Sequence, residues 1–206
     1  TYRIDGDYAA ARHPAQVTFT DRLTEDLARR DFTVNAMAWH PNNGLCDPFG
    51  GQDDLHAGIL RCVGDPATRF SEDALRILRC LRFAAVLGFS IAPETAAALH
   101  SQRALLRKIS AERIREELNR LLMGEHVTQV LLAYPDVLGV PLPELLPGVG
   151  FDQHSPYHKD TVWDHTAYAV GGAQASLPVR LTMLLHDFGK PAAFTQDSSG
   201  RYSVST

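Results

Sequence analysis

The eighteen residues SEDALRILRCLRFAAVLG, 71–88, constrain the fold of this chain more than any other stretch. Asp73, Arg76, Arg79 and Arg82 follow one another at intervals of three residues, and apolar residues fill most positions between them. On a helix this spacing gives a slowly winding charged stripe on a cylinder that is otherwise too apolar to face water. A buried guanidinium needs a carboxylate partner or a bound anion, because an unpaired buried charge is strongly destabilising. The pattern therefore predicts either a ladder of ion pairs, such as Asp73 with Arg76, or a binding site for an anion.

A bound nucleotide could supply partners for the charged residues of such a helix. Base edges offer acceptors to arginine, and the carboxylate of Glu72 or Asp73 can accept a hydrogen bond from an exocyclic amine. The net charge is −4, but residues 61–120 carry eleven basic against seven acidic residues, and ten of the eleven are Arg. Arg suits phosphates and base edges because its planar fork donates parallel hydrogen bonds. The alternative is a helical surface that uses Arg for solubility.

The segment LARRDFTVNAMAW, 27–39, carries a second candidate site. Thr24 and the acidic residues after it predict a helix that continues to the end of this segment. On such a helix Asp31 and Asn35 share one face, and Arg30 lies beside them. A carboxylate and an amide on one face can hydrogen-bond the two hydroxyls of a ribose, while Arg can hold a triphosphate. The alternative is a simple hydrogen bond between Asp31 and Asn35 next to a surface Arg.

Turn and cap residues divide the rest of the chain. Ser71 is the expected N-cap of the Arg-bearing helix, and Gly88 is its expected end. The Pro- and Gly-rich segment PLPELLPGVG, 141–150, predicts a linker or an irregular crossing between domains. The other expected elements are strand pieces at 2–4 and 17–19, a turn-rich connection at 41–51, a short helix or turn leading to a strand at 53–63, and helices at 93–109, 110–124, 161–170 and 177–190.

Composition excludes several classes of protein. The 206 residues are 45% hydrophobic and 21% charged, which predicts a folded chain with a sizeable core. No apolar run reaches the roughly 18 residues of a membrane span, and the first residues lack the pattern of an export signal. The three cysteines form no CxxC pair, which argues against a disulfide framework and a zinc ribbon. We expect a soluble, cytoplasmic protein with no membrane partner.

A third candidate site combines His165, in VWDHTAYAV, with the adjacent His186 and Asp187, in LLHDFGKP. Two imidazoles and a carboxylate from two helices can supply three ligands to one divalent ion. Gly189 and Pro191 are expected to end the second helix just after its two ligands. The alternative is a structural hydrogen-bonded cluster. The neighbouring polar residues are expected to be loop or cap residues: His154, His158 and Asp164.

Three motifs in fixed order carry a family resemblance. RRDFTVNAMA (29–38), DPFGGQDDL (47–55) and SEDALRILRCLRFAAVLGF (71–89) resemble motifs B, C and D of the class II tRNA nucleotidyltransferases and the related bacterial poly(A) polymerases. The preceding segment TYRIDGDYAAARHPAQVTFTDRLTEDL is similar to the same family. Residues 47–55 resemble the hinge that lets the head and neck of these enzymes rearrange between C and A addition.

The resemblance implies an α+β fold in three parts. Residues 1–62 would be the C-terminal part of a polymerase-β-like nucleotidyltransferase head. Residues 63–150 would be a mainly α-helical neck and body that selects the nucleotide and binds tRNA. Residues 151–206 would be the start of an all-α HD domain, in which His165 and His186 with Asp187 resemble metal ligands. The fourth ligand of that domain, a later Asp, is absent from this sequence.

The resemblance also implies nucleotide-binding roles for eight residues: Arg30, Asp31, Asn35, Glu72, Asp73, Arg76, Arg79 and Arg82. In the family pattern Arg30 binds the triphosphate, and Asp31 and Asn35 recognise the ribose. A protein template that pairs with the base edge of ATP or CTP is formed by Glu72, Asp73 and Arg76. Arg79 and Arg82 lie near the phosphates.

One departure from the family pattern affects the expected activity. The catalytic core of the family needs a glycine-rich GGxVRD segment followed by a DxD pair for two Mg²⁺ ions, and this combination does not occur in the sequence. By resemblance both would precede Thr1. The chain therefore looks like a fragment that transfers no nucleotide by itself, although the intact protein is expected to do so.

These observations predict a template-independent nucleotidyltransferase that adds CCA, or A alone, to tRNA 3′ ends from CTP and ATP. It would use Mg²⁺ for transfer and hold a divalent metal at the HD site. One rival function is that of a poly(A) polymerase of the same family. Another is an HD metal phosphohydrolase whose polymerase-like half serves as an RNA-binding module. The sequence does not determine the oligomeric state or the HD metal.

Overall fold

The computed structural model of the chain describes residues 2–5, 8–9, 13–14, 17–152, 159–196 and 202–204. The helices are α1 (Leu23–Ala28), α2 (Gly51–Ala57), α3 (Pro66–Glu72), α4 (Leu75–Leu87), α5 (Pro93–Gln102), α6 (Ala111–Leu122), α7 (Val127–Ala133), α8 (Pro135–Leu138), α9 (Val162–Gly172), α10 (Leu177–Leu185) and α11 (Lys190–Ala193). Short 3₁₀ turns lie at Thr33–Asn35, Arg103–Lys108 and Pro143–Gly148. The strands are β1 (Tyr2–Asp5), β2 (Tyr8–Ala9), β3 (His13–Pro14), β4 (Val17–Thr20), β5 (Ala38–His40), β6 (Gly44–Cys46), β7 (Ile59–Leu60), β8 (Ser90–Ile91), β9 (Phe194–Gln196) and β10 (Tyr202–Val204).

The described strands form two-stranded ladders. Antiparallel pairs join β1 to β4, β2 to β3, β5 to β6 and β9 to β10, whereas β7 and β8 are parallel. The strand pieces expected near the start of the chain are confirmed as β1 and β4. The turn-rich connection contains the β5–β6 hairpin, where Gly44 has a φ of 72° that favours glycine. The helix and strand expected at 53–63 are confirmed as α2 and β7.

The single helix predicted across residues 24–39 is wrong. The backbone leaves the helix after Ala28, and Phe32 is extended, with φ −126° and ψ 153°. Phe32 is fully buried and forms an isolated bridge with Cys62. Burying this ring in the core stabilises the extended backbone more than local helix propensity stabilises a helix. The residue before α1 is Arg22, so Thr24 lies in the first turn and is not the N-cap.

The helix predicted at 71–88 is two helices with a break between them. Asp73 separates α3 from α4 with an extended backbone, φ −142° and ψ 103°. Ser71 lies inside α3, so its prediction as an N-cap is wrong. Asp65 caps α3 instead, because its carboxylate accepts a hydrogen bond of 2.7 Å from the backbone N–H of Thr68. The predicted end of α4 at Gly88 is confirmed, with φ of 70°.

Helices α4 and α6 form the centre of the core and run in the same direction. Asp73, just before α4, contacts Arg113 in the first turn of α6, and Arg82 contacts Glu117 further along both helices. The large, fully buried side chains around this pair come from much of the chain: Phe32, Phe70, Ile77, Leu78, Leu81, Leu99, Leu106, Leu121, Leu122 and Val127. The parallel arrangement brings the N-terminal ends of both helices to one side of the core.

Helices α9 and α10 pack on this core. Trp163 of α9 is buried and donates a hydrogen bond of 2.9 Å from Nε1 to the carbonyl oxygen of Leu131 in α7. Arg180 of α10 is 5% exposed and donates from Nη1 to the carbonyl oxygens of Leu122 and Gly124, at 2.5 and 2.8 Å. These carbonyls end α6, so α10 is joined to the C-terminal end of that helix.

Elsewhere the expected starts of helices are confirmed at two positions. Pro93 begins α5, and Ser110 immediately precedes α6. The 141–150 segment contains a 3₁₀ turn whose Leu145 and Gly148 are buried, so it is an irregular crossing and not an exposed linker. Among the helices in the described ranges, none has the length and apolar character needed to cross a membrane.

Candidate nucleotide cleft and metal centre

A cleft of about 350 Å³ lies between the 29–35 segment and the N-terminal ends of α4 and α6. Its lining residues are Arg29, Arg30, Asp31, Asn35, Asp73, Leu75, Arg76, Arg79 and Arg113. Six of the eight predicted nucleotide-binding residues therefore lie together, although two separate segments supply them. The lining contains five Arg and two Asp, so the cleft carries a surplus of positive charge.

Asp31 is the centre of a hydrogen-bond network on one wall of the cleft. Its carboxylate is 7% exposed and accepts from Asn35 Nδ2 at 2.6 Å and from Arg79 Nε at 2.7 Å. The backbone N–H of Phe32 also donates to this carboxylate. Asp31 and Asn35 are brought together by the 3₁₀ turn and not by the helix face that the sequence predicted. Their direct hydrogen bond, which was the alternative reading of the pattern, is present.

Two arginines at the rim share one acidic partner. Arg29 Nη2 lies 2.7 Å from Asp26 Oδ1, and Arg30 Nη2 lies 3.5 Å from Asp26 Oδ2. Arg30 is exposed and also donates from Nη1 to the carbonyl oxygen of Asn35 at 3.2 Å. Its guanidinium is therefore positioned beside the Asp31–Asn35 pair while it remains open to solvent.

The ion pair between Asp73 and Arg76 was one of the two alternatives that the sequence offered, and it is not among the contacts of these two described residues. Arg76 is 8% exposed, and its Nη1 donates to Glu72 Oε2 at 2.6 Å and to the carbonyl oxygen of Arg69 at 3.0 Å. Its Nη2 donates to the carbonyl oxygen of Arg29 at 2.9 Å. Asp73 lies at the extended break before α4 and pairs with Arg113 instead of Arg76. Glu72 does not line the cleft and instead holds Arg76 in place.

Asp73 pairs with Arg113, a residue that sequence reasoning did not place in the site. Arg113 Nη2 lies 3.0 Å from Asp73 Oδ2 and 3.4 Å from Oδ1. Asp73 Oδ1 also accepts from the backbone N–H of Leu75 at 3.1 Å. The sequence places Arg113 in the first turn of a predicted helix, but only the parallel packing of α4 and α6 brings it to the cleft.

Arg82 lies outside the cleft, whereas the family resemblance implied a place near the phosphates. Its Nε is 3.2 Å from Glu117 Oε2, and its guanidinium lies 4.3 Å from the centre of the Phe83 ring. Burial lowers the pKa of Arg82, and the charge of Glu117 acts in the opposite direction. This end of the arginine stripe thus forms an internal ion pair, the alternative that the sequence left open.

The second group of predicted site residues also meets at one point. His165 Nε2 lies 3.3 Å from His186 Nε2 and 3.8 Å from Asp187 Oδ2, and His186 Nε2 lies 3.3 Å from the same oxygen. His165 comes from α9, whereas His186 and Asp187 follow the last residue of α10, Leu185. The helix ends before its two candidate ligands and not after them, so that part of the prediction is wrong. Pro191 belongs to the next helix, α11.

Neighbouring contacts orient these three side chains. His186 Nδ1 lies 2.7 Å from the carbonyl oxygen of Met183, which favours a proton on Nδ1 and leaves the Nε2 lone pair directed at the cluster. Lys190 Nζ lies 2.7 Å from Asp187 Oδ2 and balances its charge. Thr161 is the N-cap of α9, and Asp164 lies in the first turn of that helix: its backbone N–H donates to Thr161 Oγ1, and its Oδ2 accepts from the same hydroxyl. The predictions for His154 and His158 lie outside the described residues.

Comparisons with known proteins show which family this chain resembles. A family model described as "Poly A polymerase head domain" matches residues 1–61, and one described as "Probable RNA and SrmB- binding site of polymerase A" matches residues 88–145. A CCA-adding enzyme of Lactiplantibacillus plantarum is 50% identical over 126 residues, which are 61% of this chain and 31% of that protein. One of Anoxybacillus flavithermus is 46% identical over 146 residues, 70% of this chain and 37% of that protein.

Solved structures show the same relationship. A Bacillus stearothermophilus CCA-adding enzyme in complex with CTP is 31% identical, has a TM-score of 0.65, and is matched over 92% of this chain and 49% of that one. A tRNA nucleotidyltransferase complexed with a primer tRNA and an incoming ATP analogue is 28% identical with a TM-score of 0.55, over 74% of this chain and 50% of that one. The chain thus spans about a third of the two curated relatives and about half of the two solved chains. Its mixed α/β fold matches the polymerase-β-like fold of these enzymes. The chain belongs to the family of the CCA-adding enzymes and the related poly(A) polymerases.

Proposed function

We propose that this chain is the nucleotide-selecting part of a template-independent nucleotidyltransferase that adds CCA to tRNA 3′ ends from CTP and ATP. The observation that carries the proposal is the cleft, which combines five Arg with Asp31, Asn35 and Asp73. A surplus of guanidinium groups suits a triphosphate, and the acidic and amide groups suit ribose hydroxyls and an exocyclic amine. A nucleoside triphosphate needs all three kinds of partner at once.

Six of the lining residues have a role in this proposal. Arg30 and Arg79 bind phosphate oxygens, and Asp31 with Asn35 checks for the ribose hydroxyls. Asp73 and Arg76 select the base, and Glu72 keeps Arg76 oriented. Since Arg82 is paired with Glu117 away from the cleft, it supports the α4–α6 core.

The acceptor and the transfer step follow from the relatives. The related structures include enzymes in complex with tRNA and with CTP or an ATP analogue, so we propose tRNA and these nucleotides as partners. Residues 1–62 would then be the end of the head, 63–150 the neck and body, and 151–206 the beginning of an HD domain. Transfer would use Mg²⁺ held by the carboxylates of the GGxVRD and DxD combination, which this sequence does not contain.

The proposal is tested on the full-length protein. Purified protein is incubated with tRNA lacking its 3′ CCA and with labelled CTP and ATP, separately and together. We expect two C additions followed by one A addition. Addition of A without C would support the poly(A) polymerase of the same family. No transfer of either nucleotide would contradict the proposed function.

We propose that His165, His186 and Asp187 bind a divalent metal ion in the HD part of the chain. Their ligand atoms lie within 4.8 Å of one another. The ligands of a tetrahedral ion with bonds of about 2.1 Å are about 3.4 Å apart, close to the two 3.3 Å separations in this cluster. Two imidazoles and a carboxylate suit a transition metal better than Ca²⁺ or Mg²⁺. The ion would displace Lys190 from Asp187 Oδ2 or bind the other carboxylate oxygen.

Metal content decides between this site and a purely structural cluster. Full-length wild type, His186→Ala and the exposed control His56→Ala are loaded with Mn²⁺ or Zn²⁺, dialysed and analysed for bound metal. We expect His186→Ala alone to lose metal. Equal metal content in all three proteins would show that the cluster has only a structural role. Phosphatase activity that depends on His186, combined with no nucleotide transfer, would favour the metal phosphohydrolase with an RNA-binding module.

A further inference from the structure

We propose that Arg113 is a positioning residue that sets base selectivity by holding the Asp73 carboxylate in the cleft. The inference rests on the proposed function, because it deepens the account of how the same site chooses its nucleotide. Its starting point is the pairing of Asp73 with Arg113 across the two parallel helices, in place of the Asp73–Arg76 pair that was one alternative from the sequence.

The Asp73 carboxylate is fixed from two directions. The backbone N–H of Leu75 donates to Oδ1 at 3.1 Å, and Arg113 Nη2 contacts both oxygens at 3.0 and 3.4 Å. Asp73 itself lies at an extended break between two helices, where no i, i+4 neighbour on a helix could orient it. Without Arg113 the carboxylate would keep one backbone contact and could rotate about its side-chain bonds.

Arg113 is in turn held by a rigid helix. The next ion pair along the α4–α6 contact joins Arg82 to Glu117, both largely buried. At the far end of α6, Arg180 binds the carbonyl oxygens of Leu122 and Gly124. These two contacts fix α6 along its length, so the position of its first turn is determined by the core and not by solvent.

An unsatisfied nitrogen of Arg113 distinguishes this role from that of an ordinary structural ion pair. Its Nη1 is buried and has no hydrogen-bond acceptor among the described residues, although Arg113 lines the cleft. A buried donor without an acceptor costs free energy, so a pair evolved for stability alone would satisfy it. The pair is therefore retained at some cost in stability, which fits a role in positioning Asp73 for the cleft.

The chemical consequence is a single fixed acceptor for the base edge. Cytosine and adenine present an exocyclic amine, which donates to a carboxylate, whereas uracil and guanine present a carbonyl oxygen at the equivalent position. A carboxylate with a fixed orientation accepts a hydrogen bond from the amine of cytosine or adenine, and it repels the carbonyl oxygen of uracil or guanine. A carboxylate free to turn away from a carbonyl oxygen would lose this discrimination, so Arg113 should affect the choice of base without touching the transferred phosphate.

A double-mutant cycle tests the inference in the full-length protein. Asp73→Asn, Arg113→Gln and the double variant are compared with wild type, and Arg115→Gln, an exposed position on the same helix, is the control. Two quantities are measured for CTP and UTP: the kcat/KM of transfer and the equilibrium dissociation constant. Urea denaturation of each variant gives its stability. Arg113→Lys, which keeps the charge but not the planar fork, is included in case Arg113→Gln fails to fold.

We expect Arg113→Gln to lower the CTP to UTP preference about tenfold and Arg113→Lys to lower it less. In the Asp73→Asn background the same change should have little further effect, because the two residues act through one group. Additive effects, or equal loss for CTP and UTP, would overturn the inference. A wild type that binds CTP over UTP but transfers neither would contradict the proposed transferase, and the binding cycle would still decide the role of Arg113.

Discussion

Arg79 Nη2 lies 2.6 Å from Asp31 Oδ2, although 48 residues separate the two in sequence. The pair joins α4 to the segment just before the 3₁₀ turn at Thr33–Asn35 and so closes one wall of the cleft. Asn35 donates to the other oxygen of Asp31 at 2.6 Å. The carboxylate that is proposed to check the ribose is therefore oriented by the charged Arg79 and by two neutral donors, Asn35 and the backbone N–H of Phe32.

Loss of Arg79 should destabilise this wall. Asp31 is 7% exposed, so Arg79→Gln leaves a buried carboxylate with no cationic partner from α4. Because the Arg79 side chain is about a third exposed, we expect a loss of about 1–3 kcal/mol, less than for a fully buried pair. Adding Asp31→Asn should restore part of it by removing the unpaired charge. Urea denaturation, with exposed Arg107→Gln as control, measures the effect. Equal stability of Arg79→Gln and its control would show that the pair contributes nothing.

Arg180 should be among the most sensitive single positions for stability. It is a buried cation that binds two carbonyl oxygens at the C-terminal end of α6, where the helix dipole also favours positive charge. Arg180→Met would leave both carbonyls buried without this donor, at a cost of about 2–4 kcal/mol. Thermal unfolding checks this against Arg107→Met. A melting temperature unchanged from the control would refute the role of Arg180 in joining α10 to α6.

Asp47 gives a prediction for acid stability at the hinge-like segment. The backbone N–H groups of Gln52 and Gly51 donate hydrogen bonds to the Asp47 carboxylate. These bonds lower the pKa of Asp47 below its ordinary value of 3.8, and the bond from Gln52 is the largest cause. The ionised form is favoured in the folded chain, so its stabilisation is present above pH 3.8 and disappears as pH falls through the lowered pKa.

Asp47→Ala should therefore reduce stability by about 1 kcal/mol at pH 7, as for the loss of a helix cap, and by less in acid. Unfolding curves at pH 7 and at a pH below the ordinary Asp value give the comparison, with exposed Asp53→Ala as the matched control. A difference between variant and wild type that does not shrink in acid would contradict the assigned hydrogen bonds.

The 206-residue chain by itself should not extend tRNA. It lacks the GGxVRD and DxD combination that the family uses to hold Mg²⁺, although Asp5 and Asp7 have the spacing of a DxD pair without the glycine-rich segment before them. Incubation of the isolated chain with tRNA, CTP, ATP and Mg²⁺ should give no product, while CTP still binds. Measurable addition of C or A that Asp5→Asn abolishes would show that the catalytic carboxylates lie within this chain.

Much of the fold follows from local signals in the sequence. Pro93 and Gly88 mark real helix boundaries because a proline at the first turn and a glycine with positive φ act locally. The errors arose where packing overrides such signals. Phe32 is extended because the core buries its ring, and Asp73 breaks a helix that its neighbours favour, so neither could be deduced from periodicity.

The candidate site was predictable in membership but not in geometry. Spacing and family resemblance identified Asp31, Asn35 and Asp73, yet their partners come from distant parts of the chain. Arg113 was missed because its contact with Asp73 depends on the parallel packing of two helices forty residues apart. Arg82 does not line the cleft because the stripe winds away from it along α4 and meets Glu117.

The central claim is that this cleft selects CTP and ATP through Asp73. The most direct measurement is the kcat/KM for each of the four nucleoside triphosphates with full-length wild type, Asp73→Ala and the exposed control Glu125→Ala. Loss of one base-reading contact is worth roughly 1–3 kcal/mol of discrimination. We predict that Asp73→Ala loses preference for CTP and ATP over UTP and GTP, while the control keeps it. Unchanged preference in Asp73→Ala, with only a loss of stability, would contradict the account and leave Asp73 as a structural partner of Arg113.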